Sequence, residues 1–203
     1  MKLLLYCTKG KPYLIGGYHK PYYLDKGGKY AVMDARDNIL NGKIVAECDF
    51  EVEEIKIIDP VGKWFCYENQ YEIMEKSKLD VNKFFDYLQG KNGYAIHIKN
   101  LKIFDKPREL KDFYRAESID GHSPCWHCKR FGSGCHSCSI NAPQNMMYVY
   151  DVTEKKVLIS IHPEWLCKIL NGEKTIEVRK KVLKEMQQGL ITEEEYNKAK
   201  EQL

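Results

Sequence analysis

The stretch that most constrains the fold is residues 157–181, VLISIHPEWLCKILNGEKTIEVRKK, because its hydrophobic period changes twice. Residues 157–161 form a largely apolar run, which is typical of a buried strand. Pro163 suits the first turn of a helix, and the following apolar residues fall on one helical face until Gly172 provides a stop. The pattern then alternates with period two. It therefore predicts a strand, a short helix and a second strand.

The second of these strands has one apolar and one polar face. Ile176 and Val178 are expected to face a core, because side chains alternate across a strand. The other face of the strand carries Thr175, Glu177 and Arg179. Lys174 lies at the turn just before them. We expect these polar groups to lie beside a helix end, on a surface that a polar ligand can reach.

The motifs S-I-H-P at 160–163 and N-G-E-K-T-I-E-V-R-K-K at 171–181 resemble the ASCH domains of the PUA-like superfamily, small β-barrel modules associated with RNA. Four other segments resemble successive later parts of the phage-type branch of that family: 6–14, 41–50, 93–110 and 142–151. Together the matched segments are spread over residues 6–181, which is most of the first 181 residues by span. The resemblance implies an α+β fold, a PUA-like small β-barrel with short flanking helices.

The order of the segments departs from the family. There, the strand, helix and G-x-K-T-x-E-x-R segment opens the domain, whereas here it is found at 157–181, after the other segments. Two explanations remain, a circular permutation or a tandem array cut at both ends. Permutation is physically tolerable because chain termini often lie near each other. We expect residues 1–181 to form this domain, with an insertion at 121–140, and residues 182–203 to form a separate hairpin.

Composition sets limits on size, charge and location. The 203 residues, 43% of them hydrophobic, are enough to bury the core of one domain with appendages. A net charge of +3 permits an anionic partner without requiring one. The opening residues contain too short an apolar run for a signal peptide, and no run has the length of a membrane span. We therefore expect a soluble, cytoplasmic protein with no membrane partner, and the resemblance to the phage-type branch implies a phage, a prophage or a bacterial host.

Residues 44–52 alternate between apolar and largely acidic positions, which predicts a half-buried strand. Glu47 is of interest on its acidic face because the resemblance places this strand across the barrel from Lys174. The resemblance also places Lys9 and Lys11 near the strand that follows Lys174. There they would add positive charge, although a solvated turn explains both lysines equally well.

The middle of the chain gives a mixed signal. Residues 55–77 have no clear period, whereas the apolar spacing at 81–88 predicts a helix of about three turns, capped by Asp80 and stopped at Gly90. One long strand or two short ones are expected between Tyr94 and the proline at 107. His97 is out of phase with its apolar face, which favours a surface or hydrogen-bonded histidine over a ligand.

Two C-x-x-C pairs, C-W-H-C at 125–128 and C-H-S-C at 135–138, are separated by six residues. Four thiolates at this spacing are typical of a tetrahedral structural zinc site, in which each pair directs two sulfurs at one ion. The predicted ligands of this one Zn²⁺ are Cys125, Cys128, Cys135 and Cys138. Disulfides are disfavoured in a reducing compartment, whereas an iron–sulfur cluster remains open. The other four cysteines lie in apolar patterns and are expected to be buried: Cys7, Cys48, Cys66 and Cys167.

The basic and aromatic residues in and around these pairs allow two roles for the insertion at 121–140, which we call the knuckle. It either presents cations and rings to a nucleic acid, or it is a small insertion that the metal holds together because it lacks a core.

The last 22 residues, from 182 to 203, have a helical pattern of their own. Leu183 and Met186 favour a short helix, Gly189 breaks it, and Thr192 with Glu195 forms a capping box for a second helix. The sequence G-L-I-T-E-E-E-Y resembles the SHOCT family of short C-terminal helical pairs. That resemblance implies oligomerisation or tethering, with the hairpin docked on its own domain or on another copy.

Three functions are compatible with these patterns. In the first, the protein binds RNA or a modified nucleoside or nucleotide in a cleft, with cations on phosphate and Glu177 on a base edge or orienting the cations. The residues of this cleft are Lys174, Thr175, Glu177, Arg179, Lys9 and Lys11. In another, the protein is an oligomeric scaffold that acts through its C-terminal hairpin.

The remaining function is enzymatic. Some small ASCH proteins hydrolyse the amide of N4-acetylcytidine with a lysine, a threonine and a glutamate, and the resemblance matches Lys174 to that lysine and Glu47 to that glutamate. Glu177 stands where the threonine is expected, and Thr175 is the nearest substitute. A lysine with a lowered pKa could activate a hydroxyl or water.

Overall fold

A computed structural model describes residues 1–8, 22–24, 30–32, 40, 42–61, 64–115, 140–151 and 154–189. The chain divides into two compact units. Unit 1 comprises residues 1–49 and 100–173, and unit 2 comprises residues 50–99 and 174–203. Several predicted features lie outside the described residues, namely Lys9, Lys11, the four cysteines of the zinc site and the segment 190–203.

The described strands are, in chain order, β1 (Lys2–Cys7), β2 (Tyr22–Leu24), β3 (Tyr30–Val32), β4 (Ile44–Ile55), β5 (Ile57–Val61), β6 (Trp64–Tyr67), β7 (Gly93–Arg108), β8 (Tyr114–Arg115), β9 (Met146–Asp151), β10 (Glu154–Ile161) and β11 (Ile176–Arg179). The α-helices are α1 (Gln70–Ser77), α2 (Val81–Leu88) and α3 (Pro163–Leu170). Short 3₁₀ helices occupy Leu110–Asp112 and Lys184–Gly189. These elements confirm the α+β class.

In unit 1, strand β1 pairs in parallel with β10 and antiparallel with β4. Strand β9 continues the sheet beside β10, and β8 pairs with β9. Strands β4 and β7 are neighbours, and each continues from one unit into the other. The barrel implied by the resemblance is not found: the described strands form an open order that ends on one side at the two-residue strand β8.

The core of unit 1 explains why β1 is a continuous apolar strand. It is hydrogen-bonded on both edges, and its side chains from Leu3 to Cys7 are buried. Leu4 packs with Phe113 and Leu158 on one face of the sheet, while α3 contacts β1. Such a strand, covered on both faces, carries apolar residues at successive positions.

Strand β10, helix α3 and strand β11 confirm the strand–helix–strand prediction for 157–181. Pro163 occupies the first helical turn of α3. Gly172 follows the helix with a φ of +73°, a conformation that glycine adopts without steric cost.

In unit 2, β11 pairs antiparallel with β7, so that Arg179 lies opposite Tyr94, and β5 pairs with β6. The core joins α1 and α2 to these strands through Tyr67, Ile73, Phe84, Leu88 and Val178. The Tyr67 and Phe84 rings meet edge to face at 5.5 Å, a favourable arrangement for two aromatic quadrupoles.

Helix α2 has the predicted N-cap, because the Asp80 side chain accepts a hydrogen bond of 2.8 Å from the backbone N–H of Lys83. The helix spans eight residues, shorter than the three turns predicted. Gly93 follows it at a point of close approach. A Cβ there would lie 2.5 Å from Leu88 Cδ2 and 3.2 Å from the carbonyl oxygen of Arg179.

Three of the four cysteines predicted to be buried are buried: Cys7, Cys48 and Cys167. Burial raises the pKa of Cys7 and of Cys48 to about 12, which keeps both thiols protonated and unreactive at neutral pH. The prediction is wrong for Cys66, which is exposed. Tyr67, the next residue on β6, lies in the core of unit 2, so Cys66 falls on the opposite face of the strand.

Among the described residues, no helix combines the length and the apolar character needed to cross a membrane.

Candidate functional site

The structure brings three of the predicted site residues together in unit 2. Lys174 Nζ lies 3.3 Å from Glu177 Oε2, and Arg179 Nη2 lies 2.9 Å from Glu177 Oε1. Glu177 therefore bridges two cations with its two carboxylate oxygens. Because a carboxylate with both oxygens engaged cannot rotate freely, this bridge fixes the direction of the Arg179 guanidinium.

The end of helix α1 explains why Lys174 lies where it does. Its Nζ donates a 2.7 Å hydrogen bond to the carbonyl oxygen of Ser77, the last residue of α1. The backbone N–H of Thr175 donates to the carbonyl of Lys76. The last carbonyls of a helix have no partner within the helix and carry partial negative charge, so a cation there satisfies them and interacts favourably with the helix dipole.

This arrangement differs from the accessible polar face that the sequence predicted. Lys174 and Glu177 are only 3% and 8% exposed. The Arg179 side chain is 14% exposed, and Thr175 is exposed. Lys174 hydrogen-bonds to the carbonyl of the last residue of α1, and Glu177 lies between the charged groups of Lys174 and Arg179, so neither side chain extends into solvent. Their contacts indicate that they support Arg179 rather than meet a ligand directly.

Beyond Arg179 the chain carries exposed cations that were not selected from the sequence: Lys180, Lys181 and Lys184. Lys180 Nζ lies 5.2 Å from the centre of the Tyr87 ring and donates a 3.3 Å hydrogen bond to Gln89 Oε1. The run R-K-K at the end of β11 was the available signal for this surface. We call Arg179, Lys180, Lys181 and Lys184 the basic segment.

Glu47 has partners in unit 1 that the sequence did not predict. Its Oε2 lies 3.0 Å from Nζ of Lys156, a buried lysine on β10. Lys156 Nζ also lies 3.2 Å from Asp151 Oδ2 and 3.2 Å from Glu154 Oε2. Three carboxylates thus surround one ammonium group, which offsets the cost of removing it from water.

Arg108 completes this unit 1 cluster. Its guanidinium donates two hydrogen bonds to Asp151, of 2.7 and 3.0 Å, and lies over the Phe113 ring at 4.2 Å. The hydrogen bond from Arg108 lowers the pKa of Asp151 against the opposing effect of burial, and Lys156 adds to the lowering. Burial lowers the pKa of Lys156, but its hydrogen bonds to Glu47, Asp151 and Glu154 outweigh burial and raise it overall.

The acidic face of β4 is matched by basic and polar groups on β7. His97 Nε2 lies 2.8 Å from Glu53 Oε2, which confirms the prediction of a hydrogen-bonded strand histidine. Lys99 Nζ lies 2.5 Å from Glu51 Oε1. Cross-strand pairs of this kind stabilise a sheet, so these acids have a structural explanation.

No cluster of three or more histidine, cysteine or acidic side chains able to hold a metal ion is found within the part of the chain that the structure describes. The predicted zinc ligands at 125–138 lie outside that part, so the zinc site stays a prediction.

Compared with known proteins, the chain matches no protein-family model, no curated protein and no solved structure.

Proposed function

We propose that the protein is an RNA- or nucleotide-binding module in which the basic segment contacts phosphate groups. The observation that supports this most is the position of Lys180, Lys181 and Lys184, all exposed and following directly on the strand that carries Arg179. Phosphate contacts from exposed lysines and arginines supply most of the sequence-independent affinity for nucleic acids.

In this proposal Lys174 and Glu177 are positioning residues. The carboxylate of Glu177 holds the guanidinium of Arg179, and Lys174 holds Glu177 against the end of α1. This corresponds to one of the two roles considered for Glu177, that of orienting the cations. Thr175 remains a candidate contact beside this segment, and Lys9 and Lys11, which lie outside the described residues, remain candidate contacts through the resemblance alone.

The wider assignment is part of the proposal. It comprises a PUA-like domain of the ASCH type, a knuckle with one structural zinc, a C-terminal hairpin for self-association and a cytoplasmic location in a phage, prophage or bacterial host. The α+β class and the strand–helix–strand order at 157–181 support its first element. The four-cysteine spacing supports the zinc.

Hydrolysis of N4-acetylcytidine is the weaker alternative. It requires Lys174 and Glu47 to act on one substrate, with Thr175 nearby. Lys174 Nζ is engaged with Ser77 O and Glu177, and Glu47 is engaged with Lys156. Because both groups have buried structural partners, we prefer binding. Acetate release from N4-acetylcytidine that disappears in Lys174→Ala would reverse this preference.

The binding proposal is tested by charge removal at two matched places. We expect Lys180→Gln/Lys181→Gln to weaken binding of a fluorescein-labelled single-stranded RNA and to reduce the slope of log K against log salt by about 1.4, since each lost phosphate contact on a single strand removes about 0.7. Fluorescence anisotropy over a salt series measures both quantities.

The control is Lys106→Gln/Lys111→Gln, which removes the same charge from exposed positions of unit 1. If the two double variants lose affinity equally, only net charge matters and the basic segment is not the binding surface. Absence of any salt-dependent binding by the unaltered protein would refute the proposed function itself.

A further inference from the structure

A tyrosine lies directly beside the basic segment. Tyr87, on the last turn of α2, is 38% exposed, and Lys180 Nζ lies 5.2 Å from its ring centre. The same ammonium group donates to Gln89 Oε1, two residues further along the chain. The ring is therefore accessible, and an exposed cationic side chain that is hydrogen-bonded to an amide lies over one of its faces.

A second tyrosine lies on the neighbouring strand. Tyr94 of β7 is opposite Arg179 of β11, and its hydroxyl accepts a 3.1 Å hydrogen bond from Gln187 Nε2. Residues 87–94 and 179–187 of unit 2 thus combine two aromatic rings, two side-chain amides and the cations of the basic segment. Aromatic rings receive bases, amides pair with base edges and cations receive phosphates.

We infer that Tyr87 stacks on an unpaired base and that the ligand of the basic segment is single-stranded RNA. The inference rests on the proposed function and deepens it. A base stacked on Tyr87 takes the ring face that Lys180 covers, and Lys180 then follows the adjoining phosphate. The exchange favours the bound state, because a base–aromatic stack is stronger than an exposed lysine–tyrosine contact.

Duplex RNA does not fit this arrangement. Its bases are stacked on one another inside the helix, and its recognition depends on phosphates and 2′-hydroxyls instead. A surface that uses one aromatic face with adjacent cations therefore distinguishes single strands from duplexes. Cations alone would bind both.

The test compares Tyr87→Leu with Tyr87→Phe, using fluorescein-labelled oligo(A) as the single strand and its hybrid with oligo(U) as the duplex. Leucine retains helix propensity and removes the ring, whereas phenylalanine keeps the ring and removes the hydroxyl. We expect Tyr87→Leu to bind oligo(A) about tenfold more weakly, with an unchanged salt slope, and Tyr87→Phe to bind normally. The duplex should bind less tightly than oligo(A) to the unaltered protein.

Tyr71→Leu is the matched control, since Tyr71 is 77% exposed on α1 and lines a separate open groove of about 490 Å³. A loss in Tyr71→Leu without one in Tyr87→Leu, or equal binding of single strand and duplex, would overturn the inference. Salt-dependent binding that is unaffected by Tyr87→Leu refutes the stacking site and leaves the proposed function intact. Absence of all RNA binding refutes both. Circular dichroism of each variant confirms that α2 is retained.

Discussion

The two units each bury a lysine, and they satisfy it in different ways. In unit 1, three carboxylates surround the ammonium group of Lys156, those of Glu47, Asp151 and Glu154. In unit 2, Lys174 contacts the carboxylate of Glu177 and the carbonyl of the last residue of α1. The first environment is ionic, and the second relies partly on the partial charge at a helix end.

The comparison separates structural lysines from lysines that are suited to a ligand. A buried ammonium group with its hydrogen bonds already made must break them before it can bind an anion, which costs free energy. Lys180 and Lys181 are exposed and incur a smaller cost of this kind. We therefore assign support to the buried lysines and ligand contact to the exposed ones.

The largest effect is expected from Lys156→Met. Removing the ammonium group leaves Glu47 and Asp151 with like charges in a poorly solvated site, so the free energy of unfolding should fall by about 3–5 kcal/mol. Urea denaturation followed by circular dichroism measures the loss. The control is Lys102→Met, because Lys102 also approaches Glu47, at 4.0 Å, but is 73% exposed. It should cost less than about 1 kcal/mol, and equal losses would show that Lys156 has no special role.

A smaller loss is expected from Lys174→Met. Glu177 keeps its contact with Arg179, so the main penalty is the lost partner of the Ser77 carbonyl, and we expect about 2 kcal/mol. The same urea titration applies. Thr175→Ala, at the exposed neighbouring position, should change stability by less than about 0.5 kcal/mol. If Lys174→Met costs as much as Lys156→Met, the distinction between the two environments is wrong.

The smallest effect is the dependence of stability on pH that the Asp151–Lys156 cluster of unit 1 should contribute. The pKa of Asp151 is lowered below its usual 3.8, mainly by Arg108, so its contribution to stability is present above that value and is lost as pH falls through the folded-state pKa. The pKa of Lys156 is raised above 10.5, so its contribution is present below that value and is lost as pH rises through the folded-state pKa.

Urea midpoints measured from about pH 6 down to about pH 3 test the acid side of this prediction. Asp151→Asn removes the titrating group. The free energy of unfolding of this variant should therefore fall less over this pH range than that of the unaltered protein. An identical fall in both proteins would assign the acid sensitivity to other carboxylates.

The sequence was sufficient for elements whose periodicity is local. The alternation at Ile176 and Val178 and the helical spacing up to Leu88 depend on neighbouring side chains, so both elements were predicted close to their observed bounds. Helix α1 was not predicted because residues 55–77 have no clear period. Without α1, nothing in the sequence could indicate that the Ser77 carbonyl accepts a hydrogen bond from Lys174.

The charged clusters were predicted poorly because their partners are distant in sequence. Lys156 and Glu47 are 109 positions apart, and a lysine near the start of a strand normally predicts a solvated end. The alternation rule placed Glu177 on an open face, since it takes no account of what packs against that face. Periodicity does not distinguish Tyr87, because this residue lies outside the apolar face of α2 and is exposed.

The central claim is that RNA contacts the exposed basic segment of unit 2 rather than the buried lysines or unit 1. Photo-cross-linking of the 203-residue chain to a 4-thiouridine-labelled single-stranded RNA, followed by mass spectrometry of the cross-linked peptides, tests it most directly. We predict cross-links within residues 81–94 and 176–187. Cross-links confined to other peptides, with none in these two segments, would contradict the account.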